Sequence, residues 1–169
     1  NVQQVINAIV SDYSKLDPKD ASYFQAQKAK FETKGLAQYK TLIATIKQRY
    51  HGVPVGASES IFAPLSQALG LKLLTPYSFL KAISEGTEPT ASDITTIDRQ
   101  IAKHQIKVWV FNSQNSTPDV QRITDAARKQ GIQVTTITET LTPASARFQD
   151  WQSAQLEALM QALAKATGQ

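Results

Sequence analysis

Residues 51–74, HGVPVGASESIFAPLSQALGLKLL, decide the fold. Val53 to Ala57 is a short β-rich run, Ser60 to Leu69 carries a helical pattern, and Leu71 to Leu74 is a second short apolar run. Apolar runs this short suit buried strands, whereas helices need about 10 residues of three-and-four spacing. Alternation of short apolar strands with helical segments predicts a parallel sheet flanked by helices, because such a sheet buries both faces.

The same alternation continues toward the C-terminus. Thr75 to Pro89 reads as a long loop, and Ser92 caps a helix over Asp93 to His104. A third strand covers Lys107 to Phe111, and a helix runs from Pro118 to Gln130 with Gly131 closing it. A fourth strand covers Val134 to Ile137, Pro143 closes a loop, and the last helix carries Phe148, Trp151, Leu156, Leu159, Met160 and Leu163. Toward the N-terminus the grammar is purely helical. Val2, Val5, Ile6, Ile9, Val10, Tyr13 and Leu16 form one apolar stripe, which Asp17-Pro18 interrupts. A second long helix then extends to about Tyr50, with Gly35 expected to bend it. The predicted class is α/β, a parallel sheet of about four strands flanked by helices and preceded by two long helices. The simplest doubly wound order is second, first, third, fourth.

Composition narrows the functions. Hydrophobic residues at 41% and charged residues at 19% describe a globular chain rather than a disordered one. No apolar run approaches the roughly 20 residues that span a bilayer. Asn1-Val2-Gln3-Gln4 has neither the basic start nor the apolar stretch of a signal peptide, and with no initiating Met the chain is expected to have been processed or cut. The net charge of +4 comes from scattered lysines without interleaved aromatics, so no nucleic-acid partner is expected. With no cysteine, disulfides, thiolate metal sites and thiol nucleophiles are excluded.

Most catalytic signatures are missing as well. The seven glycines form no phosphate-binding loop. His51 and His104 lie apart and are both expected at helix C-termini, where the dipole favours them. Gly56-Ala57-Ser58-Glu59-Ser60 follows a strand as a nucleophile elbow would, but Ser60 stands where the elbow needs glycine. Ser58 is therefore read as a helix N-cap, with an esterase-like hydrolase as a third-ranked reading. More telling are Glu59 after the first strand, Asn112 at the end of the third and Glu139 after the fourth. In open parallel sheets ligands gather outside the carboxyl ends of the strands, and two carboxylates with an amide make a hard oxygen cluster suited to a divalent cation. The alternative is that each caps the following helix or turn, which leaves a non-catalytic α/β interaction module without metal. With strands about 4.8 Å apart, the strand ends bearing Glu59 and Glu139 should lie roughly 10 Å apart with Asn112 between them.

Longer stretches resemble a known family. Lys15-Leu16-Asp17-Pro18-Lys19-Asp20-Ala21-Ser22-Tyr23-Phe24 resembles the link between the two long helices of zinc- and manganese-type solute-binding proteins of ABC importers, the metal-binding lipoproteins and adhesins. Gly70-Leu71, Glu88-Pro89-Thr90-Ala91-Ser92-Asp93 and the closing helix with Trp151 are similar to that family too. Val55 to Glu59, Phe111-Asn112-Ser113-Gln114 and Thr138 to Pro143 resemble a branch carrying Glu at both strand ends. The resemblance implies that residues 1–16 are the end of a backbone helix joining two lobes, that residues 17–169 are the C-terminal lobe, and that the N-terminal lobe lies outside this sequence. It implies zinc or manganese as the bound ion, held by Glu59 and Glu139 with Asn112 and Gln114 behind them. Half of the usual four-ligand site would come from this chain, so binding by the chain alone should be weak. It further implies no catalysis, an ABC importer membrane subunit as partner, and an extracytoplasmic location with a lipid anchor outside this sequence. The apolar stripe of the first helix is expected to allow self-association.

Overall fold

The stripe from Val2 to Leu16 forms a helix, α1 (Val2–Leu16), in a computed structural model that describes residues 2–169. The Asp17 N–H donates to the Tyr13 carbonyl, and Pro18 then opens a 3-10 turn over Pro18–Asp20 that leads into α2 (Ala21–Lys30). Pro is tolerated here because the first turn of a helix has no use for its missing N–H. The second helix is not continuous. A π-helical turn over Phe31–Gly35 separates α2 from α3 (Ala37–Arg49), and Gly35, where a bend is expected, is the last residue of that turn. A Cβ on Gly35 would meet Phe31 Cδ2 at 2.6 Å, so the Phe31 ring can lie there only over a glycine. Two compact units divide the chain, residues 1–40 and 41–169.

The second unit holds the sheet. Four strands, β1 (Pro54–Ala57), β2 (Lys72–Leu73), β3 (Val108–Asn112) and β4 (Gln133–Ile137), lie in the order β2-β1-β3-β4. Every pairing is parallel, with Val55 opposite Leu73 and Val108, and Asn112 opposite Ile137. Order, direction and strand number agree with the reading of the alternation. Between the strands run α4 (Ala63–Ala68), α5 (Tyr77–Ser84), α6 (Ala91–Ala102) and α7 (Pro118–Lys129), and α8 (Phe148–Thr167) closes the chain. Both α7 and α8 pack on β3 and β4. Val55, Ala57, Val108, Trp109 and Val110 are buried at the centre. The Trp109 indole N–H donates to Thr124 Oγ1 at 2.9 Å, which satisfies its one polar atom inside the core. Its ring leans on β1 where Gly56 sits, and a Cβ there would come within 2.7 Å of Trp109 Cε3. That is the close approach a glycine inside a strand permits.

Three local expectations are corrected. The segment read as a loop from Thr75 to Pro89 contains α5, because Phe79, Leu80 and Ile83 share one helical face and are all buried. The cap of α6 is Thr90, whose Oγ1 accepts the Asp93 N–H, while Ser92 lies inside the helix. His104 stands past the end of α6 with φ of 50°, a left-handed position beyond the helix rather than in its last turn. No helix among the described residues is long and apolar enough to cross a membrane.

Candidate metal centre

The carboxyl ends of β1, β3 and β4 meet along one edge, which brings Glu59, Asn112 and Glu139 together. Parallel pairing forces this, since neighbouring parallel strands end on the same side. Asn112, the last residue of β3, is buried, and its Nδ2 donates to Glu59 Oε2 at 2.7 Å and to Glu139 Oε1 at 3.3 Å. One amide nitrogen thus bridges both carboxylates. They approach each other more closely than the spacing of the strand ends requires, because both side chains reach inward toward β3.

Each carboxylate is positioned differently. Glu59 is 3% exposed, and its Oε1 accepts a second amide, Asn115 Nδ2, at 3.1 Å. It makes no capping hydrogen bond to the 3-10 turn Ser60–Phe62 that follows, so the capping alternative does not describe it. Glu139 is exposed and sits in the loop after β4. Gln114 holds the backbone of that loop. Its Oε1 accepts the N–H groups of Glu139 and Thr140 at 2.9 and 3.1 Å, and its Nε2 donates to Thr140 Oγ1 at 2.7 Å. From the other side α8 grips Thr138, through Trp151 Nε1 to Thr138 Oγ1 at 2.8 Å and Gln155 Oε1 accepting the Thr138 N–H at 2.6 Å. Asn112 in turn is set by its own loop, where its Oδ1 accepts the Gln114 N–H at 2.9 Å.

Ser58 takes neither of its expected roles. It is fully buried, and its Oγ accepts the Asn112 N–H at 2.9 Å, tying the end of β1 to the end of β3. The hydroxyl is used as a strut beneath Glu59, not as a helix cap or a nucleophile. Asn115 was missed in the sequence, although it ends a run of polar residues, Asn112-Ser113-Gln114-Asn115, directly after a strand.

The electrostatics are lopsided. Among the described residues no Lys, Arg or His pairs with Glu59 or Glu139; the ion pairs lie elsewhere, as with Arg122–Asp98 and Arg128–Asp125. A carboxylate taken out of water is costly unless a cation or full hydrogen bonding compensates it. Here two carboxylates face each other across neutral amides, and each Glu59 oxygen retains acceptor capacity beyond the one N–H it receives. Among the described residues no three of His, Cys, Asp or Glu come together, so the edge offers two strong ligands.

Oxygen donors thus gather at the carboxyl edge of an open parallel sheet, which is where ligands of such sheets collect. The chain belongs to the family described as zinc-uptake complex component A, periplasmic (ZnuA), whose profile matches residues 1–162. That is a family of non-catalytic metal-binding solute-binding proteins, which sets the hydrolase reading aside. Among solved structures the chain is similar to a manganese-bound mutant of a periplasmic metal-binding protein from Candidatus Liberibacter asiaticus, with 19% identity and a TM-score of 0.70 over 94% of this chain and 58% of that one. It is similar also to a mutant laminin-binding adhesin (Lmb) from Streptococcus agalactiae, with 20% identity and a TM-score of 0.66 over 92% of this chain and 56% of the adhesin. A structure of ZnuA matches with 22% identity and a TM-score of 0.64, over 95% of this chain and 54% of that protein. These likenesses establish the fold. The chain spans little more than half the length of the structures it matches. No curated protein sequence matches it.

Proposed function

We propose that this chain supplies Glu59 and Glu139 as two of the ligands for a divalent transition metal, manganese or zinc, captured outside the cytoplasm and handed to the membrane subunit of an ABC importer. The observation that carries the reading is the Asn112 amide nitrogen shared between the two carboxylates, with no basic side chain among the described residues to neutralise them. A divalent cation is the species that such a pair lacks. Both donors are carboxylate oxygens, which suit manganese, whereas zinc favours nitrogen and sulfur as well as oxygen. Manganese is therefore the ion this half of the site favours, and the description of the family as a zinc-uptake component supports zinc as the second reading. Asn112 and Gln114 support the ligands from behind, the first through the side chains and the second through the backbone of Glu139. Attachment to the membrane by a lipid belongs to the same reading, as does contact between two copies through the exposed stripe of α1.

Calorimetric titration of the complete gene product that carries this chain tests the reading. Glu59→Gln and Glu139→Gln should each weaken manganese and zinc binding by more than the 10–100-fold, on the order of magnitude, that changes outside the ligand set cost. Wild-type affinity in both variants would refute the assignment. The 169-residue chain alone should bind only weakly, since zinc sites need about four ligands.

A further inference from the structure

Asn115 lies in the loop between β3 and α7, and its amide makes two connections at once. Nδ2 donates to Glu59 Oε1 at 3.1 Å and to the Ile83 carbonyl at 3.2 Å, near the C-terminal end of α5. The final torsion of a glutamate side chain is broad and roughly two-fold, so a carboxylate held by one oxygen can still swing about that oxygen. Asn112 holds only Oε2. With Asn115 on Oε1 both oxygens are pinned, and the plane of the carboxylate is set before any cation arrives. An ionised carboxylate offers about four acceptor positions, so each oxygen keeps a lone pair for a ligand. The amide itself is steadied by a helix end whose Phe79, Leu80 and Ile83 are buried, so it has a rigid reference.

We propose that Asn115 is a positioning residue for metal capture: without touching the ion, it orients the Glu59 carboxylate and refers that orientation to α5. The proposal rests on the reading of Glu59 as a metal ligand. A second tie joins the same elements, between the hydroxyls of Ser60 and Ser84 at 2.6 Å, and it does not involve the Glu59 side chain. That tie separates orientation of the carboxylate from mere anchoring of α5.

The test uses the complete gene product in four forms: wild type, Asn115→Leu, Ser84→Ala and Glu59→Gln. Manganese and zinc are titrated by calorimetry, and cobalt(II) is added so that its visible absorption reports ligand geometry. Asn115→Leu should bind manganese about 10–100-fold more weakly, the usual cost of losing a group that orients a ligand, and should shift the cobalt bands. Ser84→Ala should match wild type in both measurements, although it loosens the same helix. Where Asn115→Leu does not fold, Asn115→Ser is measured in its place, since its shorter side chain removes the amide with less disturbance. Wild-type affinity and cobalt spectrum in the Asn115 variant, alongside lost binding in Glu59→Gln, would overturn the positioning role and leave the metal site standing. Equal weakening by Ser84→Ala would overturn it too, by reducing the effect to helix anchoring. Wild-type binding by Glu59→Gln would remove both proposals together.

Discussion

In α1 the residues Val5, Ile9, Tyr13 and Leu16 are 57%, 47%, 54% and 82% exposed, whereas in α7 Val120, Ile123 and Ala127 are wholly buried. Both helices carry an apolar stripe of the same helical period. The contrast extends to their units. Among the described residues of the first unit only Leu36 is buried, while the second encloses a continuous core around Trp109. In the first unit α1 and α2 lean on each other, with the rings of Tyr13 and Phe24 5.6 Å apart, and they leave an open apolar groove of about 370 Å³ lined by residues such as Ile6, Ile9 and Phe31. Periodicity thus reports which face of a helix needs cover, not what covers it. For α7 the cover is β3 and β4, brought in by the crossover topology.

Substitutions on the two sides should respond very differently. Trp109→Ala empties a wholly buried position at the centre of the core, so urea denaturation should show a loss of about 3–5 kcal/mol. A loss below about 1 kcal/mol, small beside the usual cost of emptying a core position, would mean that this core is not what holds the second unit together. A smaller effect of opposite geometry is expected from Gly56→Ala. The added Cβ meets Trp109 at 2.7 Å and Ile106 Cδ1 at 2.9 Å, and overfilling of that kind costs about 1–3 kcal/mol. The reduced freedom of the unfolded chain offsets part of it, by up to about 1 kcal/mol. Stability equal to wild type would show that the Trp109 ring can shift. Smallest of all, Ile9→Ser on the α1 stripe should change stability by no more than about 0.5 kcal/mol, as for an exposed position. Sedimentation velocity sharpens that case: concentration-dependent association of the 169-residue chain should weaken in Ile9→Ser. A chain that stays monomeric at high concentration would count against contact through α1.

Parts of this molecule were legible for physical reasons that are local. Val53 to Ala57 and Lys107 to Phe111 read as strands because a buried parallel strand is a short, nearly continuous apolar run, and β1 and β3 fall within a residue of those limits. Helix α5 was not legible in the same way. It is only eight residues long, and the flanking Thr75-Pro76 and Gly86 look like the two ends of a loop. Ser92 and Thr90 are both competent caps, and only the distance from Thr90 Oγ1 to the Asp93 N–H distinguishes them. Glu59, Asn112 and Glu139 could be found because each stands at the carboxyl end of a strand or just past it, and strand ends in a parallel sheet share an edge. Asn115 was passed over because it stands three residues beyond the end of β3, in a loop whose path the strand rule does not fix, and the polar run it closes does not say which of its members turns back to Glu59.

Every strand and every helix of the sheet-bearing segment except α5, the parallel order, and the edge on which the acidic residues gather follow from the residues alone, since hydrophobic period and crossover topology depend on neighbouring residues and short connections. It takes the folded chain to bring one amide nitrogen of Asn112 to both carboxylates, to make Ser58 a buried strut and to set Asn115 against Glu59. Hydrogen bonds select partners within about 3 Å, and distances that short between residues far apart in the chain are set by strand register and side-chain packing.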